Sequence, residues 1–177
     1  MSGVPPSNSA VADIKSASVS LMPTQFRGVK PKLIVKEGDK VKIGQALFFD
    51  KTKTDVKWPS PANGIIKEIQ YGPRRVIEKI EISSEGNEGI KHKTFTKDEI
   101  KSFDKDTVLE YILESNLFPL IRQRPFNKVA DPATLPRDIF ISGYNTAPLS
   151  IELHQIIEES KEDFQLGLTA LSKLTTG

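Results

Sequence analysis

From Lys32 to Ile82 the apolar residues come in short runs, each cut off by turn-forming residues, and this punctuation restricts the fold more than any other feature. Leu33 to Val35 is apolar, Glu37-Gly38-Asp39 supplies a turn, Val41 and Ile43 alternate with Lys40 and Lys42, and Gly44-Gln45 turns again before Leu47 to Phe49. Such text reads as short strands joined by tight turns. Pro59 and Pro61 exclude a helix, and Asn63-Gly64 is a favoured turn pair that opens a strand from Ile65 to Ile69. Between Arg75 and Ile82, Ile80 and Ile82 fall on one face and Lys79 and Glu81 on the other. Residues 1–96 are therefore expected to form an all-β barrel or sandwich behind a loosely held lead-in over residues 1–18.

Size and charge divide the chain further. Its 177 residues suit one medium domain or two small ones. Residues 1–97 carry 17 basic and 10 acidic side chains, a net +7, whereas residues 98–177 carry 8 and 13, a net −5. The sign change near residue 97 marks an expected domain boundary. No cysteine is present, which removes thiolate zinc sites, iron–sulfur ligation, disulfides and thiol nucleophiles. No run reaches the ~18 apolar residues of a membrane span, so the chain reads as soluble. The lysines alternate with apolar residues as solvated strand faces do. No aromatic row lies between them to stack bases, and a nucleic-acid partner is not expected.

Beyond the boundary the period becomes helical. Thr96 and Glu99 have capping-box spacing, and Val108, Leu109, Ile112 and Leu113 form one helical face behind the possible N-caps Asp104 and Asp106. Asn116 is placed to stop that helix in the left-handed conformation. A proline-rich link from Pro125 to Pro136 leads to Asp138–Gly143, which reads as a short buried strand. Leu149, Leu153, Ile156 and Ile157, then Phe164, Leu168 and Leu171, give two further helical faces. One strand between helices does not make a sheet, so residues 97–177 read as the beginning of a longer α/β domain. The fold expected for the whole is an α+β multidomain fragment.

The segment VKEGDKVKIGQALF followed by SPANGIIKEI resembles the biotinyl/lipoyl-type barrel-sandwich hybrid. True carriers present a modifiable lysine on the hairpin between two such segments, and Lys51 and Lys53 in FFDKTKTDV occupy about that place. The structural alternative is an exposed lysine hairpin. The text NLFPLIRQRPFNKVADPATLPRDIFISGYNTAPLS with KEDFQLGLTALSKL resembles the NqrA family, one constituent of the Na+-translocating NADH:quinone oxidoreductase, a bacterial respiratory complex, and the resemblance spans roughly residues 20–177. It implies a barrel-sandwich hybrid followed by the start of a Rossmann-like domain. It also implies a peripheral, cytoplasm-facing subunit that meets the membrane subunits of a complex exporting Na+ while reducing ubiquinone.

Related redox subunits bring a glycine-rich loop against phosphates at the position where this chain has Leu117 to Phe126, without a glycine. Side chains there obstruct the close backbone approach that a pyrophosphate or flavin phosphate needs. The expectation is that NAD(H), flavins and iron–sulfur clusters are held elsewhere in the complex and that this chain carries no redox centre and no metal. A quinone presents two carbonyl acceptors on an apolar ring, so its site needs a greasy slot with a few donors. Arg122, Gln123, Arg124 and Phe126, with Tyr144 and Asn145 after the expected strand, are the candidates for quinone binding or for an interface. The competing readings are ion pairing for the arginines, core packing for Phe126 and an ordinary turn at Gly143-Tyr144-Asn145. Trp58 reads as core rather than as an interface anchor. His92, between two lysines, and His154, with only Glu158 at i+4, carry no catalytic or metal signature.

Overall fold

The computed structural model describes residues 16–143, 147, 157–158 and 160–176. They fall into two compact units: Ser16–Thr94 together with Leu109–Thr134, and Phe95–Val108 together with the described residues from Leu135 onward. The division lies inside helix α2 (Lys105–Glu114), between Val108 and Leu109.

The first unit holds two antiparallel sheets. One has the order β1 (Ser18–Leu21), β7 (Ile77–Ser84), β6 (Gly64–Tyr71), β3 (Lys40–Val41). The other has the order β2 (Pro31–Leu33), β4 (Ala46–Asp50), β5 (Lys53–Pro59). The alternation read in the sequence becomes burial: Val41, Leu47, Phe48, Val56, Trp58, Ile66, Ile80 and Ile82 form one apolar core. The charged residues of β6 and β7 stand on the opposite face. There Lys67 and Lys79 both bond the Glu81 carboxylate, at 2.7 and 2.8 Å. These two hydrogen bonds, Lys67 first, lower the Glu81 pKa to about 2. Strand β1 begins at Ser18, the last residue of the expected lead-in, and pairs Val19 with Ile82 and Leu21 with Ile80.

Tight turns close these strands. Gly64 has φ +157°, and a Cβ placed there would stand 1.6 Å from the Ser83 carbonyl oxygen, so only glycine lets β6 approach β7 at this point. At the far end of the same hairpin, Arg74 and Arg75 both have positive φ, +56° and +58°, and the Val76 N–H bonds the Pro73 carbonyl at 3.3 Å. This is the φ pattern of a type I′ turn, which Asn-Gly ordinarily fills, and two L side chains in it cost roughly 1–2 kcal/mol each.

Residues 109–134 pack on the same core. Leu109, Ile112 and Leu113 of α2 lie against it, as does a 3-10 turn at Phe118–Leu120 whose Phe118 is buried. Asn116 stops the helix with φ +59°, as its type predicts, and its side-chain amide donates to the Gly44 carbonyl at 3.0 Å. One residue thus caps the helix and ties it to the β3–β4 turn.

In the second unit, α1 (Lys97–Ser102) begins with the expected capping box. The Thr96 N–H donates to the Glu99 carboxylate at 2.7 Å, and the Glu99 N–H donates back to the Thr96 hydroxyl. Asp104 caps α2 through the Thr107 N–H at 2.8 Å. Helix α3 (Lys161–Ser172) carries Phe164, Leu168 and Leu171. The strand expected at Asp138–Gly143 is not formed: these residues have no regular structure, and Phe140 is 90% exposed. An apolar run becomes a strand only beside a partner strand, and among the described residues none stands beside it. The helical face expected at Leu149 to Ile156 lies outside the described residues.

Two substitutions test these supports by urea unfolding. Asn116→Ala lowers stability by about 2 kcal/mol, because it loses both the left-handed cap and the bond to Gly44, and Asn116→Gly loses only about 1 kcal/mol. Gly64→Ala costs about 3 kcal/mol or more, since the Ser83 carbonyl that blocks the Cβ is backbone.

Candidate functional site

The block Arg122 to Phe126 forms a small hairpin. Strand β8 (Arg122–Gln123) pairs with β9 (Lys128–Val129), and Arg124 to Asn127 make the turn, with a cis Arg124–Pro125 peptide and Asn127 at φ +51°. The Arg122 guanidinium donates to the Asn127 carbonyl at 2.9 Å and so closes the turn from inside.

The hairpin is seated on an aromatic column. The Arg122 guanidinium lies 5.7 Å from the Phe26 ring centre, Phe26 meets Trp58 edge-on at 5.3 Å, and Trp58 stacks on Phe48 at 4.9 Å. Each contact suits the ring quadrupole: a cation over a face, an edge against a face, and a close stack. Trp58 is 2% exposed, a core residue as the sequence suggested. Two donors in this column, Trp58 Nε1 and Arg122 Nε, are buried without a hydrogen-bond acceptor among the described residues.

Phe126 is not core. It is 59% exposed, with the Arg27 guanidinium 5.9 Å and the Lys128 ammonium 5.7 Å from its ring centre. Gln123 and Arg124 are exposed. Arg27, Arg122, Arg124 and Lys128 make no ion pair among the described residues, so the arginine pairing considered from sequence is absent there. Tyr144 and Asn145 lie outside the described residues.

The two hairpin lysines differ. Lys51 is exposed at the tip of the β4–β5 turn. Lys53 reaches away from it, pairing with Asp131 at 3.1 Å and donating to the Ala130 carbonyl at 3.4 Å. The Asp131 carboxyl is held below its usual range, first by the Ala133 N–H and then by Lys53.

The amino-acid sequence matches two family models in order along the chain: the NqrA N-terminal barrel-sandwich hybrid domain over residues 1–85, and the NqrA second alpha/beta domain over residues 103–177. The chain belongs to the NqrA family. It is 40% identical over 160 residues to the NqrA subunit of the Na(+)-translocating NADH-quinone reductase of Saccharophagus degradans, covering 90% of this chain and 36% of that relative. The corresponding protein of Klebsiella pneumoniae is 38% identical over 159 residues, and that of Pseudomonas aeruginosa 36% over 157. The chain therefore spans 36% of the length of the first two relatives.

Within this NqrA-family chain, residues 109–134 fall inside the match to the second domain, yet they belong to the compact unit built on the barrel. No helix among the described residues is long and apolar enough to cross a membrane. Sequence reasoning missed Phe26, Arg27, Asn127 and Lys128 as members of the hairpin site. Of these only Asn127 carries a local signal, a residue type that tolerates the left-handed conformation it adopts.

The Lys53–Asp131 clasp gives a pH test. Asp131 is lowered when folded, so its contribution is present above the unfolded carboxylate value of 3.8 and is lost as pH falls through the folded value. Lys53→Met costs about 0.5 kcal/mol at pH 7, where the more than one-third exposure of Asp131 screens the pair, and the difference from wild type closes as pH falls below 3.8 and through the lowered folded value. Lys51→Met changes stability by less than that at either pH.

Proposed function

We propose that this chain is the N-terminal part of the NqrA subunit of a Na+-translocating NADH:ubiquinone reductase, and that it docks and supports the quinone-reducing end of that complex without a redox centre of its own. The observation that carries the reading is the two NqrA domain matches, in order and together spanning most of the chain. In this reading the barrel-sandwich domain runs to residue 96 and a Rossmann-like domain starts at 97. NAD(H), flavins, iron–sulfur clusters and the Na+ path belong to other subunits, and the chain sits peripherally on the cytoplasmic side against the membrane subunits.

The quinone part rests on the hairpin. Arg122 closes the hairpin, and Phe126 in its turn offers an exposed ring flanked by two cations. The Arg27 and Lys128 cations supply donors for a quinone carbonyl, and its ring suits an aromatic neighbour. A carrier role has one supporting observation, the exposure of Lys51 at its hairpin tip. An intact mass raised by a lipoyl or biotinyl group would establish that role in its place.

The test is Na+-stimulated NADH:quinone reductase activity in membranes of the source cells with the full-length gene deleted and then restored. Loss and recovery are expected, and unchanged activity contradicts the proposal. In the restored strain, Arg122→Ala with Phe126→Ala raises the quinone KM about tenfold and leaves the NADH KM unchanged, whereas equal change in both removes the quinone role.

A further inference from the structure

The turn between β6 and β7 is built in an unfavourable way. Its two central positions take positive φ, where asparagine and glycine are at ease, and this chain places Arg74 and Arg75 there. Both side chains are exposed, and neither makes an ion pair or hydrogen bond among the described residues. The backbone around them is fixed: the Gly72 N–H bonds the Val76 carbonyl at 2.8 Å, and the Arg75 N–H bonds the Gly72 carbonyl at 3.1 Å. Tyr71 and Val76 flank the turn and are about half exposed, at 49% and 48%. The acidic group at this end is Glu78, whose carboxylate covers Gly72 and pairs with neither arginine.

Backbone held in a sparsely populated region persists where the surrounding structure over-determines it, and it clusters at sites of function. We infer that the β6–β7 turn, Tyr71 to Val76, is a docking contact for a carboxylate-bearing segment of another protein. The inference rests on the subunit reading above only for that partner's identity, a further subunit of the same complex. Three features select a protein partner over a lipid surface. A bilayer headgroup layer asks only for positive charge, which mobile lysines supply without backbone strain. Two guanidinium groups on a rigid turn instead match the fixed bidentate geometry of paired carboxylates. Arginine and tyrosine together are also the residue types that dominate protein interfaces. Charge complementarity runs in the same direction, since this unit carries 18 basic and 12 acidic side chains, a net +6.

The experiment replaces the pair by the residues the turn prefers, Arg74→Asn with Arg75→Gly. Folding is not endangered, because the substitution relieves strain, and the melting temperature is expected to rise by about 2–4 °C or more. The control, Lys40→Gln with Lys57→Gln, removes the same charge from exposed strand positions of the same unit. With poly-L-glutamate as probe, the turn variant is expected to bind about tenfold more weakly than wild type and the control to lose much less. With tagged full-length protein, the turn variant recovers the other reductase subunits from solubilised membranes in correspondingly lower yield. Equal losses in variant and control, unchanged recovery by the variant, or a loss confined to phosphatidylglycerol vesicles would each overturn the inference. If tagged wild type recovers no reductase subunit while poly-L-glutamate binding still depends on the arginine pair, the subunit reading fails and the docking contact stands.

Discussion

The indole of Trp58 is the contact on which the described architecture turns. It lies in β5, stacks on Phe48 of the neighbouring strand β4 and takes the edge of Phe26 from the segment between β1 and β2. Phe26 in turn carries the Arg122 guanidinium. One column therefore joins the sheet core to a hairpin that arrives much later in the chain. An aromatic pair contributes about 0.5–1.5 kcal/mol beyond the area it buries, and a cation over a ring about as much. Together with the buried Val129 and the Lys53–Asp131 pair, these contacts seat β8 and β9 on the barrel. Without them the hairpin would keep a two-stranded ladder of its own, which is marginal in water.

That arrangement explains why the block RQRPF has no glycine. A phosphate-binding loop needs backbone N–H groups open to the ligand, whereas this hairpin uses its side chains. Arg122 turns inward to close the turn and cap the aromatic column. Phe126 turns outward between Arg27 and Lys128, and Arg124 stands exposed beside it. The barrel thus presents two cationic turns with exposed aromatic rings, Phe126 in one and Tyr71 in the other. Its remaining lysines are partly consumed on the strand faces, where Lys67 and Lys79 neutralise Glu81.

What was legible in the sequence is what depends on near neighbours. The alternation around Val41, Ile66, Ile80 and Ile82, the Thr96–Glu99 capping box and the Asn116 stop all rest on local spacing, and each is present. The Arg122–Phe26–Trp58 column was not legible, because its members come from separate parts of the chain and no periodicity links them. Asp138–Gly143 shows the opposite failure. Ile139-Phe140-Ile141 has the composition of a buried strand, but strand formation depends on a partner that the local text does not contain. Arg74-Arg75 escaped notice because a type I′ turn is read from Asn and Gly, and arginine carries no such signal.

Trp58 is the chain's single tryptophan, so its fluorescence reports the column directly. The decisive measurement is its emission maximum and acrylamide quenching in the wild type and in Arg122→Met, with folding monitored by far-ultraviolet circular dichroism. The column predicts short-wavelength, poorly quenched emission in the wild type, and a red shift with stronger quenching when the guanidinium is removed and the barrel remains folded. Solvent-exposed emission in the wild type, or no change on removing Arg122, would contradict it.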